Sequence, residues 1–353
     1  MLPTPSTSHV SYDLIYEPAE DSYLFLDTLS SASETAWLRL RFCSSSPPCS
    51  SSSSSAQPEP EPEPEQPTTS SSSRTRTRTT AQANNKSPPP LLVEVGPGSG
   101  VVVAFLAAHA PAIFGRPVLG LSVDVNPYAC RATRTTVEKA LGETQAAAAA
   151  EMTTTTLTTT TTIDEKNPWS RSRSRSIYLA SLNGDLVTPL RSGEVDVLVF
   201  NPPYVPTESV PAPPAPPPPR TTTTPPAASP TFADQSHLLA LSYAGGRDGM
   251  DVTRRLLRQV PAVLSPRGVA YVLFCRGNRP DEVKRWIRSW GSGSESESES
   301  EANDGDGDHH HHHQQGRWRA ETVGTSGKTA GWEKLEIVRI WREEENGNES
   351  VSE

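Results

Sequence analysis

The sequence predicts an α/β protein in which mostly parallel strands form one doubly wound sheet. Three observations predict it: short apolar runs alternate with helical patterns, a glycine-rich turn follows the first run, and polar residues follow the later runs. The first unit is the run Leu91–Val95, a glycine turn at residues 96–100 and a helical pattern at residues 101–110. A strand, a glycine turn and a helix in this order are typical of nucleotide-type binding sites.

Six later apolar runs predict the rest of the sheet. They are residues 118–123, 177–179, 195–200 and 269–274, followed by a closing pair of strands at 318–322 and 335–341. Between them, the Asn126-Pro127 pair is a good helix start, because Pro is favoured in the first turn, and residues 248–264 and 280–290 also have helical patterns. The sequence therefore predicts seven strands with helices between them.

Four low-complexity tracts interrupt this alternation, at residues 43–90, 144–176, 206–230 and 291–316. They contain, in that order, Ser blocks with Pro-Glu and Arg-Thr repeats, poly-Ala with poly-Thr and Arg-Ser, a Pro/Thr-rich stretch, and Ser-Glu repeats with an acidic and a His-rich end. Such tracts are too polar or too repetitive to bury a core, so we expect disordered insertions in surface loops. About 220 residues remain, which is a normal size for one α/β domain.

Composition and charge exclude several classes of protein. The formal net charge is −9 with much of the acid in the repeats, and no dominant basic face is evident, so high-affinity nucleic-acid binding is not expected. The four cysteines, Cys43, Cys49, Cys130 and Cys275, form no Cys-x-x-Cys pair, which predicts a reduced intracellular protein without a metal site. No apolar run approaches the roughly 20 residues that span a bilayer, so a soluble protein is expected.

The most informative motif is Asn201-Pro202-Pro203-Tyr204, called the Asn-Pro-Pro-Tyr corner below, which directly follows the run at 195–200. The Asn side chain offers a carbonyl acceptor, the prolines fix the backbone so that a main-chain carbonyl faces the same cleft, and the aromatic ring offers a flat surface. Such a corner can grip a planar nitrogen for methylation, whether an amide or the exocyclic amine of adenine. The alternative is a proline-rich terminus that merely ends a buried strand.

Polar and glycine residues follow four successive predicted strands. The glycine turn, Asp124, Asp185 and Asn201 all fall at carboxyl ends, where doubly wound sheets bind their ligands. The glycine turn and an acid that accepts from ribose hydroxyls occur in NAD, FAD and S-adenosylmethionine folds alike. The Asn-Pro-Pro-Tyr corner favours the methyl donor, because hydride transfer has no use for a nitrogen grip beside the cofactor.

Several of these stretches together resemble the HemK-like class I methyltransferases, in particular the eukaryotic branch that methylates a glutamine of the translation release factor. The matching segments are Tyr16-Glu17-Pro18-Ala19-Glu20-Asp21-Ser22, Glu94-Val95-Gly96-Pro97-Gly98-Ser99-Gly100, Asp124-Val125-Asn126-Pro127, Asp185-Leu186, the Asn-Pro-Pro-Tyr corner with Val205, Ala244-Gly245-Gly246-Arg247-Asp248-Gly249 and Leu264-Ser265-Pro266-Arg267-Gly268. The resemblance spans nearly the whole foldable core. It implies a Rossmann-like fold of seven strands and an S-adenosylmethionine-dependent protein-glutamine N5-methyltransferase.

The resemblance also implies which residues contact the cofactor. They are Ser22, Glu94, Gly96, Gly98, Gly100, Asp124, Asp185, Leu186 and Asn201. Ser22, which replaces the usual Thr, would contact the methionine portion together with Glu94 and Gly96. Asp124 would hold the ribose, and Asp185 with Leu186 would flank the adenine. Pro97 departs from the small polar residue common at its position.

For the acceptor, the resemblance assigns the corner as catalytic and substrate-binding residues. The Asn201 side-chain carbonyl and the Pro202 backbone carbonyl would accept the two amide hydrogens, Pro203 would fix the turn, and Tyr204 would pack on the amide plane. Three readings stay open at this point: glutamine methylation of a release factor, adenine or lysine methylation at the same site, and a catalytically idle scaffold whose repeats bind partners.

The resemblance further implies a partner: a small zinc-binding activator subunit that covers an apolar edge. Residues 101–106 and 118–123 are the candidate surfaces, and a buried core is the alternative explanation for both runs. The predicted location is the cytoplasm, with the nucleus as a second location. The predicted organisation is a helical segment at 11–42, a cofactor-binding half at 91–143, strands carrying the corner at 177–205, a C-terminal half at 231–290 and closing strands at 317–342, separated by the four insertions.

Overall fold

A computed structural model describes most of the predicted core. The described residues are 2–43, 88–155, 175–214, 229–291, 317–326 and 334–343. Residues 2–43 and those from 89 onward belong to one compact unit, whereas the second unit, 44–88, is described only at Pro88. Most of each predicted insertion lies outside the described residues, so the expectation of disorder there stays a prediction.

The strands form one seven-stranded sheet. They are β1 (Leu91–Val95), β2 (Leu119–Asp124), β3 (Ile177–Asn183), β4 (Val195–Phe200), β5 (Leu264–Cys275), β6 (Arg317–Thr325) and β7 (Leu335–Glu343). Their order is β3-β2-β1-β4-β5-β7-β6. The pairs among β1 to β5 are parallel, and β7 pairs antiparallel with both β5 and β6. This is the mostly parallel, doubly wound sheet that the sequence predicts.

Eight described α-helices accompany the sheet. They are α1 (Glu20–Leu29), α2 (Ala32–Cys43), α3 (Val101–Ala108), α4 (Ala110–Phe114), α5 (Pro127–Thr155), α6 (Phe232–Tyr243), α7 (Asp251–Val263) and α8 (Pro280–Arg288). The helix predicted at 101–110 ends at Ala108, and α4 begins after His109. The helix predicted at 248–264 begins only at Asp251, because Asp248 has a left-handed φ of 56° in the preceding turn.

Two helices differ from the sequence-based expectations. The predicted insertion at 144–176 is wrong at its start, because α5 continues through the alanines to Thr155; alanine is the strongest helix former. Helix α6 follows the predicted 206–230 insertion and was not predicted. Thr231 and Asp234 cap it reciprocally: the Asp234 N–H donates to the Thr231 hydroxyl at 3.2 Å, and the Thr231 N–H donates to the Asp234 carboxylate at 2.8 Å. This capping box was a readable helix signal.

The core lies on both faces of the sheet, as the central strand β4 illustrates. All six of its residues are buried. Val197 and Val199 pack with α1 to α4, whereas Leu198 and Phe200 pack with α7 and α8. Successive side chains of a strand point to opposite faces, so a doubly covered strand is apolar throughout.

The same burial corrects one expectation about a partner surface. Residues 101–106 are all buried in α3, and residues 118–123 contribute the interior strand β2. Neither run offers a free apolar surface, so both belong to the core. None of the described helices is both long and apolar enough to cross a membrane.

Candidate active site

A cavity lies where the carboxyl ends of β1 to β4 meet. The segments that follow these strands all line it: the glycine turn after β1, Asp124 at the end of β2, residues 184–186 after β3 and the Asn-Pro-Pro-Tyr corner after β4. Parallel strands point their carboxyl ends to one edge, which is why segments distant in sequence converge here. The convergence expected from the sequence is therefore present in the structure.

The glycine turn has two kinds of glycine. Gly98 faces the cavity with φ +54°, and an added Cβ would lie 3.8 Å from the Ile15 side chain. Gly100 instead begins α3 with φ +80°, and an added Cβ would lie 2.6 Å from the Cα of Thr133. Gly98 thus leaves room for a ligand, whereas Gly100 allows close packing of the turn on α5 and does not line the cavity.

Asp124 presents a buried carboxylate to the cavity. It accepts hydrogen bonds from the Asn126 N–H at 2.8 Å and from the Gly98 N–H at 3.3 Å. Burial raises the pKa of Asp124 to about 6, and these two backbone donors limit the rise. The carboxylate therefore links the ends of β1 and β2 and is ionised at neutral pH, where it can accept from a ligand hydroxyl.

Glu94 lies behind the glycine turn and does not line the cavity. Its side chain is 2% exposed and accepts a hydrogen bond from the Val103 N–H in the first turn of α3 at 2.8 Å. Burial raises its pKa to about 8, and the negative charge of Asp124 adds to the rise. A carboxyl with such a pKa is mostly protonated, and therefore mostly neutral, near pH 7.

The chain segment before α1 forms one wall of the cavity. Ile15, Tyr16 and Pro18 line it, followed by Asp21 and Ser22 at the start of α1. Sequence reasoning expected Ser22 here but missed Ile15. The signal was weak because a single apolar residue in a loop has no periodicity that marks it as a ligand contact.

Asp185 and Leu186 line the side of the cavity next to β3, as expected. The Asp185 carboxylate forms an ion pair with Arg255 of α7, which also lines the cavity. Arg255 was not predicted as a site residue. It lies 70 residues further along the chain, in an amphipathic helix that gave no sign of facing the site.

At the Asn-Pro-Pro-Tyr corner, the Asn201 side-chain oxygen is buried and has no hydrogen-bond partner among the described residues. All four corner residues line the cavity. A buried carbonyl oxygen without a donor is costly unless a ligand supplies one. The residue that carries this orphaned acceptor lines the same cavity as Gly98 and Asp124.

The wall beyond the corner is mostly apolar and was not predicted. Val210, Pro211 and Pro213 line it together with Leu238 and Leu241 of α6. These residues lie in or just after the segment that the sequence marked as an insertion, so composition masked a described part of the site. The cavity thus has a polar half around Asp124 and an apolar half near the corner.

The cavity fits S-adenosylmethionine on the chemistry of its lining. A carboxylate suited to ribose hydroxyls, a glycine turn open to close approach, apolar surface beside Leu186 for a base and an orphaned acceptor at Asn201 surround one space. Of the nine residues expected to contact the cofactor, all but Glu94 and Gly100 line it. The described residues contain no cluster of three or more His, Cys, Asp or Glu side chains that could hold a metal ion.

Comparisons with known proteins also indicate a methyltransferase. No family model matches the chain. Methyltransferase HEMK2 of Homo sapiens is 26% identical over 295 residues, which cover 82% of this chain and 86% of the relative. The eRF1 methyltransferase catalytic subunit mtq2 of Schizosaccharomyces pombe is 28% identical over 54% of this chain and 61% of the relative. Release factor glutamine methyltransferase of Rhodospirillum rubrum is 27% identical over 54% and 41%.

The sheet order, the cavity at the strand ends and these similarities define a class I methyltransferase whose cofactor is S-adenosylmethionine. Within this class, the chain is similar to Methyltransferase HEMK2 and to the eRF1 methyltransferase mtq2, in agreement with its motifs.

Proposed function

We propose that this chain methylates the side-chain nitrogen of a glutamine in a peptide-chain release factor. The observation that carries the proposal is the orphaned, buried oxygen of Asn201, a residue that lines the cofactor cavity, since a primary amide of glutamine brings the N–H donor that this oxygen lacks. The similarity to proteins named as release factor methyltransferases supports the same acceptor.

The proposed chemistry rests on positioning. An amide nitrogen is a poor nucleophile because its lone pair is delocalised into the carbonyl, so orientation must supply much of the rate. The Asn201 side-chain oxygen and the Pro202 carbonyl accept the two amide hydrogens, and Tyr204 packs on the amide plane. Both acceptors also favour the positive charge that develops on nitrogen.

When bound, the cofactor supplies an electrophilic methyl group on a sulfonium. The residues that would hold it are Asp124 for the ribose, Asp185 and Leu186 for the adenine, and Ser22 with the glycine turn for the methionine portion. The cofactor would give this methyl group to the nitrogen, and the electron pair of its C–S bond would stay on sulfur. The nitrogen then releases one proton to water, so the corner needs no general base.

The mostly apolar wall supports a peptide acceptor. Its residues Val210, Pro211 and Leu241 have no hydrogen-bonding side chain that could read the edge of a base, and the hydroxyl side chains of this wall are those of Ser242 and Tyr243 on α6. Adenine or lysine acceptors would use the same corner, and they become outcomes of the experiment.

We further propose a zinc-binding activator subunit as a partner. With residues 101–106 and 118–123 buried, support comes from β3, which has β2 as its only neighbour among the described strands of the sheet. Two apolar side chains of this edge strand are about half exposed, Ile177 at 48% and Leu179 at 51%. Unpaired edges with apolar side chains are natural sites for a partner. An Ile177→Asp, Leu179→Asp double variant should lose the activator on co-purification. The proposed location is the cytoplasm and nucleus, with the release factor.

The test is methyl transfer from labelled S-adenosylmethionine by the chain co-expressed with the activator. The acceptors are a release factor, the same factor with its acceptor glutamine changed to alanine, and DNA. Label on the release factor that needs both this glutamine and Asn201 is the expected result. Label on DNA alone identifies an adenine methyltransferase, and no label on any acceptor leaves the idle scaffold.

A matched pair of variants sharpens this test. Asn183 also ends a strand, but its amide donates to the Asp124 and Val125 carbonyls at 2.9 and 3.0 Å, beside the ribose-binding acid. Asn201→Ala should lose transfer even at saturating cofactor, whereas excess cofactor should restore Asn183→Ala. Equal rescue of both would contradict the acceptor role of Asn201.

A further inference from the structure

Asn278 lies outside the cavity, in the turn between β5 and α8, and is 3% exposed. Its side-chain amide points at three backbone carbonyls: Asp248 at 2.9 Å, Tyr204 at 3.3 Å and Gly249 at 3.4 Å. Its side-chain oxygen accepts the Cys275 N–H at 2.8 Å. One buried side chain thus joins three segments: the end of β5, the Asn-Pro-Pro-Tyr corner and the turn at residues 245–249 before α7. This second turn is called the glycine-rich turn below, and it is separate from the glycine turn at 96–100.

The corner and this turn are packed so tightly that side chains are excluded between them. A Cβ on Gly249 would lie 1.9 Å from the Tyr204 carbonyl oxygen, and one on Gly245 would lie 2.4 Å from the Pro203 carbonyl oxygen. The Gly245 N–H donates to the Val205 carbonyl at 2.8 Å, which holds the residue after the corner. The backbone of the corner therefore takes its position from this contact.

Carbonyl groups converge at the point of contact, and their negative ends repel one another unless a donor lies between them. The Asn278 amide donates to the Tyr204, Asp248 and Gly249 carbonyls. Buried carbonyls that lose their donor carry a desolvation cost, and a flexible backbone relieves it by moving. Movement of Tyr204 would displace Asn201 and Pro202, its close neighbours in the chain.

We propose that Asn278 is a positioning residue, whose amide fixes the Tyr204 carbonyl against the glycine-rich turn and thereby aims the Asn-Pro-Pro-Tyr corner at the acceptor nitrogen. The inference rests on the proposed function, since it assigns the corner to the acceptor. It predicts that Asn278 affects the acceptor and leaves the cofactor half of the cavity, around Asp124, unchanged.

The test variant is Asn278→Asp, which keeps the shape and the acceptor for the Cys275 N–H but removes the donor. In the complex with the activator, kcat/KM for the release factor should fall about 10- to 100-fold, because small displacements of positioning groups cost this much. The dissociation constant for S-adenosylhomocysteine, measured by calorimetry, should stay within about twofold.

The pH dependence gives a readout that loss of packing would not move. A protonated aspartic acid at position 278 regains one donor, so the ratio of variant to wild-type activity should rise as the pH falls. The groups that face this position from the neighbouring elements are Asp248, Arg254, Cys275, Arg279 and Glu282. All are present in both proteins, so the ratio isolates residue 278.

Asn183→Asp is the matched control, since it makes the same change at the end of β3 beside Asp124. Asn183→Asp should weaken S-adenosylhomocysteine binding, whereas Asn278→Asp should leave this binding unchanged. Wild-type kinetics in Asn278→Asp, or a loss of activity that parallels lost cofactor affinity without pH rescue, would overturn the positioning role alone. A wild-type complex that leaves the release factor unmethylated would overturn the proposed function and this inference with it.

Discussion

Two buried glutamates of this protein have opposite surroundings. Glu34 of α2 is 3% exposed and Glu94 of β1 is 2% exposed. Glu34 accepts hydrogen bonds from Arg339 at 2.8 and 3.1 Å and from the Tyr271 hydroxyl at 2.9 Å. Glu94 accepts one backbone N–H, and no cation pairs with it among the described residues. Burial raises the pKa of Glu94 to about 8, and the negative charge of Asp124 adds to the rise.

The difference separates a structural site from a ligand site. The Arg339 guanidinium carbon also lies 4.2 and 4.7 Å from the ring centroids of Trp37 and Trp341, so the pair and these rings hold α2 against β7. At the cavity, the folded chain instead leaves the Asp124 carboxylate without a cation among the described residues and the Asn201 oxygen without a donor, and Glu94 lies behind the glycine turn that lines this cavity. Buried polar groups that the protein does not satisfy mark where a ligand completes the structure.

The largest expected effect comes from breaking the paired site. Arg339→Met leaves the Glu34 carboxylate buried without its cation, which should lower the free energy of unfolding by about 3–5 kcal/mol. Denaturant titration of the cofactor-free protein measures this. Adding Glu34→Gln to Arg339→Met should recover part of the loss, because no uncompensated charge remains. A single variant as stable as wild type would show that the pair contributes nothing.

The next largest effect concerns the unpaired acceptor. Asn201→Ala should lower kcat for methyl transfer by about 10²- to 10³-fold, because the amide loses an oriented acceptor that also favours the developing charge. Single-turnover transfer of labelled methyl at saturating cofactor measures it. The free energy of unfolding should not fall, since the Asn201 oxygen makes no hydrogen bond within the described chain. A destabilised variant would mean that Asn201 is structural, like Glu34.

The sequence predicted features that depend on neighbouring residues. The seven strands, the glycine turn, Asp124 and the Asn-Pro-Pro-Tyr corner follow from local runs and motifs. Arg255 and Asn278 did not, because their contacts with Asp185 and Tyr204 span 70 and 74 residues and leave no local pattern. The apolar wall of α6 was not predicted for another reason. The proline-rich composition before it predicts a disordered insertion, although Thr231 and Asp234 at its end form a helix cap.

A smaller effect should come from Glu94, through pH. A pKa raised from 4.5 to about 8 means that the folded state binds a proton more tightly than the unfolded state. The stability that the protonated Glu94 carboxyl contributes is fully present below pH 4.5 and is lost as the pH rises towards 8. Glu94→Gln removes this loss and should raise the stability of the cofactor-free protein at pH 8, relative to wild type, by about 1–3 kcal/mol. Chemical denaturation between pH 5 and about 9 measures the difference.

Asp124→Asn serves as the control for that experiment, because its window differs. The pKa of Asp124 rises from 3.8 to about 6 on folding. The stability that protonated Asp124 contributes is therefore lost between these two pH values, and this loss is complete near neutral pH. The gain from Glu94→Gln should still grow between pH 6 and 8, whereas the gain from Asp124→Asn should not. If the stability gains of Glu94→Gln and Asp124→Asn changed in parallel with pH, the two carboxyls would titrate as a coupled pair. That result would contradict a separate role for Glu94.

The smallest effect should come from Arg255, which forms an ion pair with Asp185. This partly exposed pair is intermediate between the buried, fully paired Glu34 and the Asn201 oxygen that has no donor within the described chain. Its side chains are 47% and 36% exposed, so water screens the pair and Arg255→Ala should change the stability by less than about 1 kcal/mol. Because both residues line the cavity, the variant should still weaken S-adenosylhomocysteine binding about two- to fivefold by calorimetry. Arg254→Ala is the matched control: its pair with Asp251 lies within α7, and Arg254 does not line that cavity. Equal weakening by both variants would point to the net charge of α7, whereas weakening by Arg255→Ala alone would show that a half-exposed pair can serve the ligand while contributing little to the fold.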